Sequence, residues 1–153
     1  MPSTNSKSRM NSKKFISQSP RETQALAARL IKKGKRIFAL QGDLGSGKTT
    51  FAQGIARALG IRRRVTSPTF IVINRHKVRS HKVFADLYHI DTYRLKSVRD
   101  LRLLGVEAIL KDTRNVVVIE WAEKIRRLIP KSACWIRFAH HEDPQKRVIT
   151  VNG

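Results

Sequence analysis

Apolar residues enter this chain in two kinds of run, and the difference sorts its elements. Ile37-Phe38-Ala39-Leu40 and Val116-Val117-Val118-Ile119 are continuous, the pattern of strands covered on both faces. Leu26 and Leu30, with Ala27 and Ile31 beside them, and later Phe51, Ile55 and Leu59, recur at four-residue spacing, the stripe of a helix that buries one side. Ser19 as N-cap, Pro20 at the first helical position and Glu22 three residues after the cap open the first helix, and Gly34 provides its exit. The second helix is predicted from about Lys48 to Leu59, ending at Gly60. Residues 69–75 and 83–90 read as strands of an antiparallel hairpin joined by the polar segment Asn74 to Lys82. Val98, Leu101, Leu104 and Ile109-Leu110 predict short helices interrupted at Gly105. Cys134 to Phe138 and Val148 to Val151 read as two closing strands around a turn at His141-Glu142-Asp143-Pro144. Buried strands alternating with helices place the chain in the α/β class, with a mostly parallel central sheet plus an antiparallel hairpin.

A length of 153 residues with 41% apolar content furnishes one packed core. Residues 1–18 are rich in Ser, Lys and Asn, hold no acid and no apolar run of signal-peptide length, so a disordered basic tail is expected there, with an organellar transit segment as the other reading. The ordered domain is expected over 19–153. The longest aliphatic run is four residues, far short of a membrane span. Cys134, a lone cysteine, has no partner for a disulfide or a zinc site, which favours a reducing compartment, and the expected location is the cytoplasm. The formal net charge of +21, from 32 Lys and Arg against 11 Asp and Glu, points to polyanionic partners: nucleotides, nucleic acid or an acidic protein.

Gly42-Asp43-Leu44-Gly45-Ser46-Gly47-Lys48-Thr49 satisfies the P-loop pattern G-x-x-x-x-G-K-[ST]. Glycines let the backbone curl so that successive amides point at phosphate oxygens, and the following helix N-terminus adds its dipole. In that role Lys48 contacts the β- and γ-phosphates and the Thr49 hydroxyl is a Mg²⁺ ligand. The motif sits between a buried strand and an amphipathic helix, the context it needs. Hydrolysis of ATP further requires an acid near the metal and a group that positions water. Glu120, at the end of the second apolar strand, is the leading metal acid, with a strand-terminal surface acid as the bland reading. Asp91, after the strand ending in His89-Ile90, is a candidate to orient water, or else a turn acid. Asp43 lies within the loop, and strand alternation turns Asp86 away from Asp91, so both rank lower. Thr69, in Ser67-Pro68-Thr69-Phe70, is a candidate sensor of the γ-phosphate or a residue at the entrance of an edge strand.

The blocks GDLGSGKTT, SPTF, LYHIDTYRL, LLGVEAIL and VIEW, in this order and spacing, resemble the TsaE family, also known as YjeE, over about residues 19–151. The resemblance implies a P-loop NTPase three-layer sandwich. It also implies a small Mg²⁺-dependent ATPase that works with two partner proteins, TsaB and TsaD, in forming threonylcarbamoyladenosine in tRNA. The acyl transfer itself is attributed to TsaD, with ATP hydrolysis keeping the assembly turning over. By this resemblance Gly45, Ser46, Gly47, Lys48, Thr49 and Thr50 match the nucleotide loop, Thr49 and Glu120 the Mg²⁺ ligands, and Asp91 a third functional acid. Trp121 matches the tryptophan that follows the metal-binding Glu. Ser19 to Thr23 matches the adenine-side edge, and Arg147 a late basic residue near the nucleotide. Ala122 stands where the family usually has Pro, and the basic loop from Arg75 to Lys82 is distinctive.

Basic clusters occur at Lys32-Lys33-Lys35-Arg36, Arg62-Arg63-Arg64, Arg75 to Lys82 and Lys124-Arg126-Arg127. They are either a surface that touches tRNA phosphates or a solvated basic exterior facing an acidic partner. Two rival functions stay in view. One is a small-molecule kinase, which needs an acceptor pocket and a lid; the other is a basic RNA-binding module that holds ATP without hydrolysing it.

Overall fold

The computed structural model describes residues 11–66 and 72–153. Its elements in chain order are β1 (Ser12–Ser17), α1 (Pro20–Lys32), β2 (Ile37–Gln41), α2 (Lys48–Ala58), β3 (Ile73–Lys77), β4 (Asp86–Asp91), α3 (Val98–Leu103), α4 (Val106–Lys111), β5 (Asn115–Glu120), a 3-10 helix (Ala122–Leu128), β6 (Cys134–His140) and β7 (Arg147–Asn152). One seven-stranded sheet runs in the order β1-β7-β6-β2-β5-β4-β3. Its centre is parallel, through the pairs β6–β2, β2–β5 and β5–β4; its flanks are antiparallel, through β1–β7, β7–β6 and β4–β3.

The uninterrupted apolar runs lie in that centre, as expected for strands buried on both sides. Phe38 and Leu40 on β2 face the same core as Val116 and Val118, beneath α1 and α2. Ile37, Ala39, Val117 and Ile119 face the other core with Leu101, Val106, Leu110 and Ile125. A period of two thus divides one apolar run between two cores. α1 and α2 cross closely enough that a Cβ on Gly54 would lie 2.7 Å from the Gln24 Cα, so a side chain there would push the helices apart. Arg36, ahead of β2, donates from its guanidinium to the carbonyls of Leu110, Asp112 and Asn115, which satisfies the end of α4 and fixes the entry of β5.

The helix boundaries follow the sequence signals. Ser19 Oγ accepts from the Glu22 amide at 3.3 Å, while the Glu22 carboxylate reaches back to the Gln18 amide at 2.7 Å. Gly34 and Gly105 take the positive φ values expected where helices stop, 81° and 80°. β3 and β4 form the expected antiparallel hairpin, with the strands placed at Ile73–Lys77 and Asp86–Asp91. Asp86 faces away from Asp91 and pairs with Arg75 and Lys77.

Three expectations need correction or extension. The basic tail over 1–18 is not wholly disordered: residues 12–17 form β1, an edge strand on β7, and the Ser17 hydroxyl is buried against Thr23 Oγ1 at 2.8 Å. An edge strand draws its stability from a distant partner's ladder, so exposed lysines at Lys13 and Lys14 hid it. The sheet as a whole is mixed, because the flanking pairs are antiparallel. The 3-10 helix after Trp121 had no signal in the apolar pattern. Ser67, Pro68, Thr69 and Phe70 lie outside the described residues.

Loss of β1 should uncover the β7 edge and free the Thr23 hydroxyl. Removal of residues 1–18 is therefore expected to destabilise the domain by about 2 kcal/mol, a fall of roughly 4–8 °C in the thermal midpoint for a chain of this size; an unchanged midpoint would contradict the strand. The Arg75 guanidinium beside Asp86 holds its carboxyl below the usual aspartate value. That stabilisation is complete above the ordinary aspartate pKa and is lost as pH falls through the lower folded value. Asp86→Asn should accordingly lower the midpoint at pH 7, and thermal scans should show the gap from the parent chain closing as pH falls below the ordinary aspartate value.

Candidate active site

Parallel strands deliver their carboxyl ends to one edge of the sheet, and the topology gathers the chemistry there. β4 and β5 pair Asp91 directly with Glu120, and β2 pairs Leu40 with Glu120. The glycine-rich turn from Gly42 to Gly47 leaves β2 beside those two acids and enters α2. Phe51 on α2 is clamped edge-to-face between Phe38 and Phe138, each ring pair 5.8 Å apart, which holds the helix N-terminus over the sheet edge.

A cleft of about 330 Å³ opens there. It is lined by Gly45, Ser46, Gly47, Lys48, Thr49 and Thr50, by Asp91, Tyr93, Glu120 and Trp121, by Ser17, Ser19, Pro20 and Thr23, and by Leu44, Gln145 and Arg147. The expected loop, metal and catalytic residues line it except Gly42, as do Arg147 and, of the Ser19–Thr23 edge, Ser19, Pro20 and Thr23. Gly42 serves differently: its carbonyl accepts from Lys48 Nζ, and a Cβ on it would lie 2.7 Å from the Phe138 carbonyl oxygen. Gly45 and Gly47 adopt φ of 72° and 108°, conformations that L side chains rarely take, which lets the loop curl.

Lys48 is 6% exposed. Its ammonium donates to the carbonyls of Gly42 and Asp43, the latter at 2.8 Å, and stands 4.2 Å above the Trp121 ring. Two of its three N–H groups go to the loop, leaving the third for an anion in the cleft. Burial pulls its pKa below the usual lysine value, against the carboxylates of Glu120, Glu123, Asp43 and Asp91. Thr49 Oγ1 donates to Glu120 Oε1 at 3.1 Å, and His89 Nε2 lies 3.6 Å from the same oxygen. Burial pushes the Asp91 carboxyl up, opposed by the hydrogen bond it accepts from the Tyr93 amide at 2.9 Å and reinforced by Glu120.

Trp121 is the one non-glycine residue with positive φ among those described, at 57°. An aromatic residue in the left-handed region is strained and needs support. Thr92, fully buried, provides it: its hydroxyl lies 3.0 Å from the Glu120 carbonyl oxygen and 2.7 Å from that of Trp121. Tyr93 packs on the indole at 4.9 Å. Arg147 reaches from β7 to the Gly45 carbonyl at 3.3 Å and to the carbonyls of Pro144 and Lys146, so it ties the β6–β7 turn to the loop.

The family model described as "Threonylcarbamoyl adenosine biosynthesis protein TsaE" matches residues 17–149. The chain belongs to the TsaE family. The TsaE of Bacillus subtilis is 34% identical over 142 residues, 91% of this chain and 85% of that protein. That of Treponema pallidum is 36% identical over 119 residues, covering 76% and 83%. The Borreliella burgdorferi TsaE is 41% identical over 96 residues, 63% of this chain and 66% of that protein. The crystal structure of Bacillus subtilis YdiB superimposes with a TM-score of 0.69 at 28% identity, over 94% of this chain and 86% of that one.

In this TsaE-family chain, sequence reasoning missed His89, Tyr93, Thr92 and Ser17. Strand alternation from Asp91 back to His89 was the available signal for the first, because both then face α2. The others depend on contacts between segments distant in sequence. Thr92→Val keeps the shape and removes the hydroxyl from the half-buried Trp121 carbonyl and from the Glu120 carbonyl, which keeps the Thr92 amide, so it should cost about 1 kcal/mol. It should also release Trp121, read as a red shift of tryptophan emission relative to the parent chain; unchanged emission and stability would refute the strut.

Proposed function

We propose that this TsaE-family protein is a P-loop ATPase serving the formation of threonylcarbamoyladenosine in tRNA, together with TsaB and TsaD proteins. The observation that carries the reading is a loop that buries its lysine at a helix N-terminus, with a threonine hydroxyl bonded to the acid of a neighbouring strand. Two features fit phosphate and metal. Ser46 Oγ is buried in the cradle with no hydrogen-bond partner among the described residues, which is costly unless an oxygen ligand completes it. The Thr49 and Glu120 oxygens form a sparse, hard donor pair suited to Mg²⁺, which keeps waters and phosphate oxygens as its remaining ligands. Bound Mg²⁺ supplies charge neutralisation to the β- and γ-phosphates.

Loop amides of Gly45, Gly47, Lys48 and Thr49 and the third Lys48 N–H hold the triphosphate, while the Ser46 amide donates to the Asp43 carbonyl at 3.2 Å. Glu120 fixes the Thr49 hydroxyl. Asp91, with one carboxylate oxygen engaged by the Tyr93 amide and its basicity raised by burial, accepts a hydrogen bond from the attacking water. Water oxygen then bonds to the γ-phosphorus as the bond from that phosphorus to the β–γ bridging oxygen breaks; the bridging oxygen leaves on ADP, and the water proton passes through Asp91 to solvent, giving ADP and phosphate. The described residues include no long insertion over the cleft, so a kinase's acceptor pocket and lid find no chain among them. Slow turnover alone, accelerated by partner proteins, is part of this reading.

Lys48→Ala tests the assignment. ATP turnover should fall by about 10²–10³-fold, in a variant whose far-UV circular dichroism still shows the folded domain. Repeated rounds of tRNA modification, reconstituted with TsaB, TsaD and tRNA, should be lost in the same variant. Near-normal ATP turnover in folded Lys48→Ala would refute the mechanism, and ATP binding without hydrolysis in the full reconstitution would favour a structural nucleotide.

A further inference from the structure

The two edges of the sheet differ in their balance of charge. At the carboxyl edge Asp43, Asp91, Glu120 and Glu123, with Glu142 and Asp143 in the β6–β7 turn, stand among Lys48, Lys124, Lys146 and Arg147, so acids and bases offset one another there. At the opposite edge the register aligns Lys77, Asp86 and Asn115 in one row, and the start of β2 lies beside β5. Each segment entering a strand at that edge is basic: Lys32 to Arg36 ahead of β2, Arg79 and Lys82 ahead of β4, Lys111 and Arg114 ahead of β5, and Lys131 ahead of β6.

α2 runs from the nucleotide loop back to the same edge and releases Arg62, Arg63 and Arg64 there. Two observations fix that placement. A Cβ on Gly60 would lie 3.2 Å from the Ser80 side chain in the β3–β4 hairpin, and the Arg63 charge is felt by His76 on β3, where it helps lower the imidazole pKa after burial and His89. Arg62, Arg63 and Arg64 are exposed and line a cleft of about 330 Å³ with Gln24, Gln53 and Arg57. None of the three has an ion pair among the described residues, whereas the acids at this edge are already engaged, Asp86 with Arg75 and Lys77, and Asp112 with Arg114.

We infer that this edge is a docking face for the phosphate backbone of a folded RNA, on the end of the molecule away from the nucleotide cleft. Like charges held together without internal acids cost self-repulsion, which an external polyanion reverses. Strands about 4.8 Å apart make the edge from β6 to β3 roughly 20 Å wide, enough for several successive phosphates. Arg guanidinium groups suit phosphate oxygens in bidentate geometry. Tyr93, the one exposed large aromatic side chain among the described residues, lies in the nucleotide cleft, so contact at this edge runs through phosphates and sugars and is indifferent to base sequence. The choice of RNA rests on the tRNA-modifying role above; the imbalance of charge does not.

The test is anisotropy of labelled tRNA against the full chain at about 50, 100 and 200 mM salt, with two triple charge reversals of equal net charge. Arg62→Glu/Arg63→Glu/Arg64→Glu changes the proposed face; Lys13→Glu/Lys14→Glu/Arg99→Glu changes exposed residues on β1 and α3 that do not line the nucleotide cleft. The parent should bind with log affinity falling linearly with log salt. The arginine variant should lose at least about tenfold at the lowest salt and flatten the slope by about 2 to 3, close to one for each phosphate that is no longer neutralised. The control should lose less than about threefold. Absent binding at the lowest salt, a flat salt response or equal losses in both variants would overturn the inference. Poly-glutamate competing as well as unlabelled tRNA would overturn it in favour of an acidic protein. ATP turnover, measured in parallel, should match the parent in both variants; its absence in the parent would count against the ATPase reading and leave the binding result standing.

Discussion

A lysine ammonium taken out of water must be surrounded by oxygen, and that requirement organises this protein. Lys48 is buried at the start of α2, where the helix dipole is itself positive and opposes it. Carbonyls of Gly42 and Asp43 take two of its protons, the Trp121 face covers it, and the carboxylates of Glu120, Glu123, Asp43 and Asp91 offset part of its desolvation. Each partner arrives from a different element. The loop must curl, β5 must end on an acid, and the chain must turn sharply after that acid to bring the indole across. The left-handed Trp121 is the local cost of that turn, and Thr92 holds it in place.

The same arrangement leaves the site short of one component. Cation and acids are present in quantity, yet Ser46 Oγ is buried without a partner among the described residues. A site balanced in charge and unbalanced in hydrogen bonds is matched to a ligand that brings many acceptor oxygens. Triphosphate is the ligand proposed for that role, and the cleft walls from Ser17, Ser19, Pro20 and Thr23 extend the cavity beyond the loop. β1, an edge strand with a polar exterior, is thereby more than a flank: it carries Ser17 to the cleft and buries it against Thr23.

Parallel topology also accounts for the basic face. The entries of β2, β4, β5 and β6 collect at one edge, so the basic residues ahead of those four strands accumulate into a face that no single segment reveals. Lys35 and Arg36 show why position within such a cluster matters. Arg36 turns inward to cap the carbonyls around β5, whereas Arg62, Arg63 and Arg64 project from the end of α2. Charge counted along the chain is the same in both cases; only the fold separates the cation that holds carbonyls from the one that faces solvent.

Much was legible before folding. Continuous apolar runs identify strands 37–40 and 116–119 because burial on both faces leaves no polar position. Ser19-Pro20 and Gly34 mark a helix because backbone groups at its ends need caps, and the G-x-x-x-x-G-K-T pattern marks a curled glycine turn opening a helix because its geometry is local. Glu120 and Asp91 were found from their places after strands. The sequence did not disclose β1, His89 beside Glu120, the Thr92 strut or the partition of basic residues between two ends. Those depend on pairing between segments far apart, where a lysine-rich strand is stabilised by a partner's ladder and a threonine by carbonyls some thirty positions away. Local chemistry is written in adjacent residues; the company a side chain keeps is decided by topology, since only the folded sheet brings those residues within hydrogen-bond reach.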